Sequence, residues 1–128
     1  MREITISYIS GMLQQLVLPS THNLTPYIVQ TVLNGESNYS ISSLMDYLQA
    51  CNAQMEIRDI MDESYIIKDV REVHDTIILL IEKYKVKMSR MNEAIGVIYT
   101  PATKGKTPLS INTFIAILNY FKCEISFI

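Results

Sequence analysis

Two histidines and two cysteines are the side chains of this 128-residue chain best suited to hold a metal or serve nucleophilic chemistry, and their spacing suits neither. Metal sites need ligands clustered at fitting intervals. His22 and His74 lie far apart, and neither has a Cys or a second His within four positions. His22 is expected in a loop and His74 at an exposed helix position. Asp59, Asp62, Glu63 and Asp69 form an acidic stretch. It lacks the Gly of a calcium loop, so a solvated hairpin accounts for it better. No G-x-S-x-G or H-E-x-x-H signature occurs, and four glycines leave little from which to build a phosphate-binding loop. No catalytic residue, cofactor or metal is expected, and an enzyme is not. The opening MREITISYIS lacks the layout of an export signal. Cys51 and Cys123 then read as reduced thiols that pack as small apolar groups.

Charge is a different matter, because it is unevenly placed. The formal net charge is -2, which excludes a polybasic coat, but the halves differ in sign. Residues 1–70 carry Arg2, Arg58 and Lys68 against eight acidic side chains; residues 71–128 carry eight basic against five acidic. Lys83, Lys85, Lys87, Arg90, Lys104 and Lys106 face only Glu93 over their span. Such asymmetry marks a surface for an anionic partner, or else a solvated helix face. The 48% apolar content provides for a buried core, and no apolar run approaches the roughly 20 residues that cross a bilayer. A cytoplasmic protein with no membrane partner is expected.

The elements that position these charges are themselves duplicated. Residues 34–58, NGESNYSISSLMDYLQACNAQMEIR, lie over residues 104–128, KGKTPLSINTFIAILNYFKCEISFI, seventy positions on and without a gap. Gly35 meets Gly105, Ser40 meets Ser110, Ile41 meets Ile111 and Leu48 meets Leu118. Arg2-Glu3 answers Arg71-Glu72, one residue out of step. Two copies of a unit of about 60 residues are read.

Each copy has the same grammar. Thr25 is a good N-cap and Pro26 suits the first helical position; the helix buries Ile28, Val32 and Val29 and stops at Asn34-Gly35. Ser40 caps a second helix with Ile41, Leu44, Met45, Leu48 and Cys51 at three- and four-residue steps. Strand alternation follows over 54–60, and SYIIKDV pairs back with it through Met61-Asp62-Glu63. In the second copy Ser110 caps INTFIAILNYF, and a strand follows over 124–128. A lone strand leaves backbone groups unpaired, so the two strands are expected to pair across a pseudo-twofold. Upstream, ITISYISGMLQQLVL sets Ile6, Ile9, Leu13, Leu16 and Val17 on one helical face that Pro19 ends. Residues 70–91 lack Gly and Pro and carry Val70, Val73, Ile77, Leu80, Tyr84, Met88 and Met91 in helical register. One long helix is expected there, either completing its own core or also supporting a homodimer.

The run LTPYIVQTVLNGESNYSISSLMDYLQACNAQMEI resembles the lambda-repressor-like, or xenobiotic-response-element-type, helix-turn-helix family. Val32-Leu33-Asn34-Gly35, Glu36-Ser37-Asn38 and Ser40-Ile41-Ser42-Ser43-Leu44 stand where that family ends its recognition helix, runs a polar loop and opens the next helix. The closing run from Lys104 is similar to the same family's C-terminal half, and Ala94-Ile95-Gly96-Val97 to its inter-helix turn. Two departures stand out. Only Leu18 to Leu24 separates the first helix from the recognition helix, so the positioning helix has shrunk or vanished. Gly96 to Gly105 is too short for a full second recognition helix and contains Pro101, so the second copy is expected to have lost groove reading.

The resemblance implies a mainly α protein of two tandem helix-turn-helix-like units, with short strands after each that form a small shared antiparallel sheet. The divisions read as 1–60, a hairpin or linker at 61–69, and 70–128. It implies a small phage or bacterial transcriptional regulator that binds double-stranded DNA. Tyr27, Gln30, Thr31 and Asn34 would face the groove, where Gln or Asn pairs with adenine and Thr meets the thymine methyl. Ser37 and Asn38 would donate to phosphate, and Lys104, Lys106 and Thr107 would hold the backbone. The alternative is a protein-interaction or inhibitory module built from an eroded copy of the fold. The acidic first unit, Glu36 and Pro101 favour that alternative.

Overall fold

Thr5, Thr25, Asp69 and Ser110 each accept a hydrogen bond from the backbone N–H three residues on, and a helix begins immediately after each. Such caps satisfy donors that the first helical turn leaves without partners. The computed structural model describes residues 3–35, 38–99 and 109–128. Its elements run α1 (Ile6–Leu13), α2 (Pro26–Asn34), α3 (Ile41–Ala50), β1 (Met55–Arg58), β2 (Ser64–Ile67), α4 (Val70–Lys83), α5 (Met88–Ile95), α6 (Ile111–Tyr120) and β3 (Glu124–Phe127). The protein is about half helical, with one three-stranded antiparallel sheet in the order β2-β1-β3.

Several local expectations are met. Pro26 opens α2 and Gly35 ends it in the left-handed conformation at φ 73. Ser40 stands at the start of α3, though its hydroxyl bonds Ser42 rather than a backbone N–H. The hairpin β1–β2 turns through Asp62 at φ 65, and β1 pairs with β3 as well as β2. Cys51 and Cys123 are free thiols, half-buried and buried.

Three readings are corrected. Helix α1 stops at Leu13, where the chain tightens through i→i+3 bonds from Gln15 to Met12 and from Leu16 to Leu13. Val17 therefore leaves the apolar face and is 82% exposed. Residues 70–91 form two helices, not one. Lys85 takes φ 53, and Val86 donates back to the Ile81 carbonyl, closing α4 before α5 begins. Three- and four-residue spacing persists across the break because both helices pack on the same core, as Leu80 and Met91 show. The continuous stripe proposed for a homodimer contact is thus interrupted. His74 is buried rather than exposed: its Nδ1 lies 2.7 Å from the Tyr99 hydroxyl, and the two rings stack with centroids 5.8 Å apart.

The backbone relates the two halves in detail. Ile41 N–H donates to the Leu109 carbonyl and Ile111 N–H to the Tyr39 carbonyl, both at 2.7 Å, around a bridge that joins Ser40 to Ser110. In the sheet Met55 faces Phe127, Glu56 faces Ser126 and Ile57 faces Ile125. Exchanging each residue for the one seventy positions away carries this set onto itself: Ser40–Ser110 and Glu56–Ser126 return to themselves, the Ile41 and Ile111 bonds exchange, and Met55–Phe127 exchanges with Ile57–Ile125. Helices α3 and α6 end alike, with Asn52 and Lys122 both at φ 56 and returns from Ala53 to Leu48 and from Cys123 to Leu118.

The correspondence reaches the preceding helices. Ile9, Ser10 and Leu13 are buried four, five and eight steps after the Thr5 cap. Val73, His74 and Ile77 are buried at the same steps after Asp69. Gln49 Nε2 donates to the Lys68 carbonyl just before that second cap. Asn119, seventy residues after Gln49, donates to the Ile4 carbonyl and accepts from the Ile4 N–H just before the first. Packing crosses between the halves: α1 lies on α6 and α4 on α3. One apolar core, from Ile9 and Leu13 through Leu44, Leu48 and Ile57 to Phe114, Leu118 and Ile125, serves both.

Candidate nucleic-acid interface

Helix α2 is held by its apolar side and its C-terminal end. Val32 is buried, and Ile28, Val29 and Leu33 pack against the core. The Leu33 carbonyl, one of those a helix end leaves open, accepts from Ser10 Oγ at 2.5 Å and Gln14 Nε2 at 3.3 Å. Gly35 fits this junction for two reasons. Its φ is left-handed, and a Cβ there would stand 2.9 Å from Ser10 Cβ. No side chain of α2 is charged.

That anchoring turns the opposite side of α2 to water. Tyr27 is 76% exposed, Gln30 and Asn34 are exposed, and Thr31 is half-buried. Asn38 is exposed; its Oδ1 accepts from the Asn112 N–H at 3.3 Å, and its Nδ2 is the group that can donate. Ser37, Lys104, Lys106 and Thr107, with Glu36 and Pro101, lie outside the described residues. The structure thus places Tyr27, Gln30 and Asn34 together on one outward face. The connection between α1 and α2 runs from Gln14 to Thr25, far longer than the three- or four-residue turn of a helix-turn-helix.

The charges sort into two groups. Lys83 is committed: its Nζ lies 2.6 Å from Asp59 Oδ2, 2.6 Å from Glu63 Oε2 and 3.2 Å from the Tyr65 hydroxyl. Asp59 was expected in a solvated stretch, but its side chain is wholly out of water. It also accepts from the Met61 and Glu63 N–H groups and from the Tyr65 hydroxyl. Burial would raise its carboxyl pKa, yet the bonds from Lys83, Tyr65 and the backbone outweigh burial and hold it below the usual carboxylate range. Bonds to Asp59 and Glu63 hold the Lys83 ammonium above its usual range. Burial and then the bond to Asp59 push Tyr65 up to about 12. Lys85, Lys87 and Arg90 are exposed and have no carboxylate partner among the described residues. Burial pushes the Cys123 thiol up to about 12, which leaves it protonated and unreactive at neutral pH.

Among the described residues no group of His, Cys, Asp and Glu side chains could hold a metal ion, and no helix is long and apolar enough to cross a membrane. Compared with family models, with curated proteins and with solved structures, the chain matches none of them.

Proposed function

We infer that the chain is a small, non-enzymatic DNA-binding regulator made of two copies of one helix-turn-helix-derived unit, with α2 as its reading helix. The observation that carries this reading is the outward face of α2. A helix that enters the major groove must present polar tips while its other side is anchored. Tyr27, Gln30 and Asn34 are presented in this way, and Val32 with the Leu33 carbonyl supplies the anchor. The amide of Gln30 can pair bidentately with adenine. Because the two halves correspond through a twofold-like exchange of backbone bonds, one chain offers what two subunits offer elsewhere.

Selection from a randomised duplex pool tests the reading. Sequence-dependent enrichment is expected, and Gln30→Ala should cost roughly 1–3 kcal/mol of discrimination at one position. Enrichment that Gln30→Ala leaves untouched would assign reading to another surface.

The long connection between α1 and α2, together with the uncharged α2, favours a second reading: a protein-interaction module that no longer touches DNA. Absence of any retardation of random or genomic duplex at low salt supports that module and removes the first reading.

A further inference from the structure

The uncharged α2 leaves a question of attraction. Hydrogen bonds read bases, but duplex affinity comes mainly from cations that displace condensed counterions. The half that contains α2 is acidic, with Arg2, Arg58 and Lys68 its only basic residues up to position 70. Of these, Arg58 already lies 3.6 Å from Glu56 and 3.7 Å from Asp62.

The second half supplies the missing charge at a corresponding place. Helix α5 packs on α6 as α2 packs on α3, and both end in a left-handed glycine, Gly96 at φ 80 and Gly35 at φ 73. Where α4 passes into α5, Lys85, Lys87 and Arg90 are exposed within six residues. Lys87 and Arg90 are three apart at the start of α5, the spacing that sets side chains on one helical face. The nearby Lys83 is spent on Asp59 and Glu63. The far end of α5 is different: exposed Glu93 and the apolar Val97 and Ile98 line an open cavity of about 550 Å³ that no polyanion would favour.

We propose that Lys85, Lys87 and Arg90, at the α4–α5 junction, form a second duplex-contacting surface that grips phosphates while α2 reads bases. This rests on the reading of α2 given above. The division of labour is asymmetric: the first unit specifies and the second attracts. It also makes affinity and sequence preference separable.

Binding of the full chain to a random duplex of about 30 base pairs, measured across a range of salt, tests it. Lys87→Glu with Arg90→Glu should weaken binding at least roughly tenfold at low salt and flatten the salt slope by about two. Lys68→Glu with Arg71→Glu is the control. It changes net charge equally at the other end of α4, about 20 Å away for a 14-residue helix. At about 0.15 M salt, where charges about 20 Å apart are largely screened, that variant should stay within about threefold of the wild type, and at low salt it should weaken binding clearly less than Lys87→Glu with Arg90→Glu does. All four side chains are exposed, so the thermal midpoints should be unchanged and confirm folding. Equal weakening by both pairs would reduce the effect to net charge and overturn the assignment. Wild-type affinity in the Lys87→Glu, Arg90→Glu variant, with Gln30→Ala still altering sequence preference, would overturn it and leave the reading of α2 intact. A wild type that binds no duplex at low salt would remove both.

Discussion

Asp59 shows what a single residue contributes and why its role was hidden. In sequence it belongs to an acidic run; in space it is the buried centre of a network that ties the β1–β2 turn to the end of α4. The partner that decides its fate, Lys83, is 24 residues away, and no local pattern reports that distance. Removing the carboxylate charge with Asp59→Asn would leave Lys83 with Glu63 as its remaining carboxylate partner and weaken the buried bonds at the turn, and should cost about 2 kcal/mol. The pH dependence follows from the direction of each shift. The Asp59 pKa is lower folded than unfolded, so between those values the unfolded chain holds more protons. Its contribution is present above about pH 4 and is lost as pH falls below that. The Lys83 pKa is higher folded, so its contribution holds below about pH 10 and is lost as pH rises beyond. Urea midpoints measured from pH 2 to 7 should fall steeply at the acid end for the wild type and be flatter for Asp59→Asn. Parallel curves would mean that the network does not set acid stability. The pair His74 and Tyr99 was hidden in the same way, since neither a lone His nor a lone Tyr announces a stack across 25 residues.

At the scale of elements, what a few neighbouring residues decide was legible. Thr25-Pro26 and Asn34-Gly35 bound α2, and the alternation around Met55 and Ile57 gave β1, because caps and strand faces act within four residues. The break between α4 and α5 was not legible. It falls at Lys85, a residue with no preference for the left-handed conformation it adopts, and the apolar period runs through it. The outward setting of α2 was partly legible. Its amphipathic spacing pointed Gln30 and Asn34 outward, but the grip of Ser10 and Gln14 on Leu33 depends on α1, which lies across a long connection. Gly35 concentrates that grip. Gly35→Ala meets both a left-handed φ and Ser10 Cβ, and should cost at least about 2 kcal/mol. Gly96→Ala meets the same conformational penalty with nothing within 4 Å, and should cost about 1 kcal/mol. Equal losses in denaturant unfolding would show that the approach of α1 to α2 carries no strain.

For the whole molecule, the reciprocal bonds between the halves are the organising feature. Four identities in 25 aligned positions hinted at duplication, and the pairing of β1 with β3 was expected from unpaired backbone alone. The crossed packing of α1 on α6 and α4 on α3 could not be read, because nothing in either helix states which half it will cover. A chain built this way should act alone, with α2 and the α4–α5 junction engaging one duplex. Native mass spectrometry of the protein with a duplex recovered from the randomised pool tests this most directly. The account predicts one chain per duplex over the whole titration; two chains on each duplex, or protein and DNA that remain apart, would contradict it.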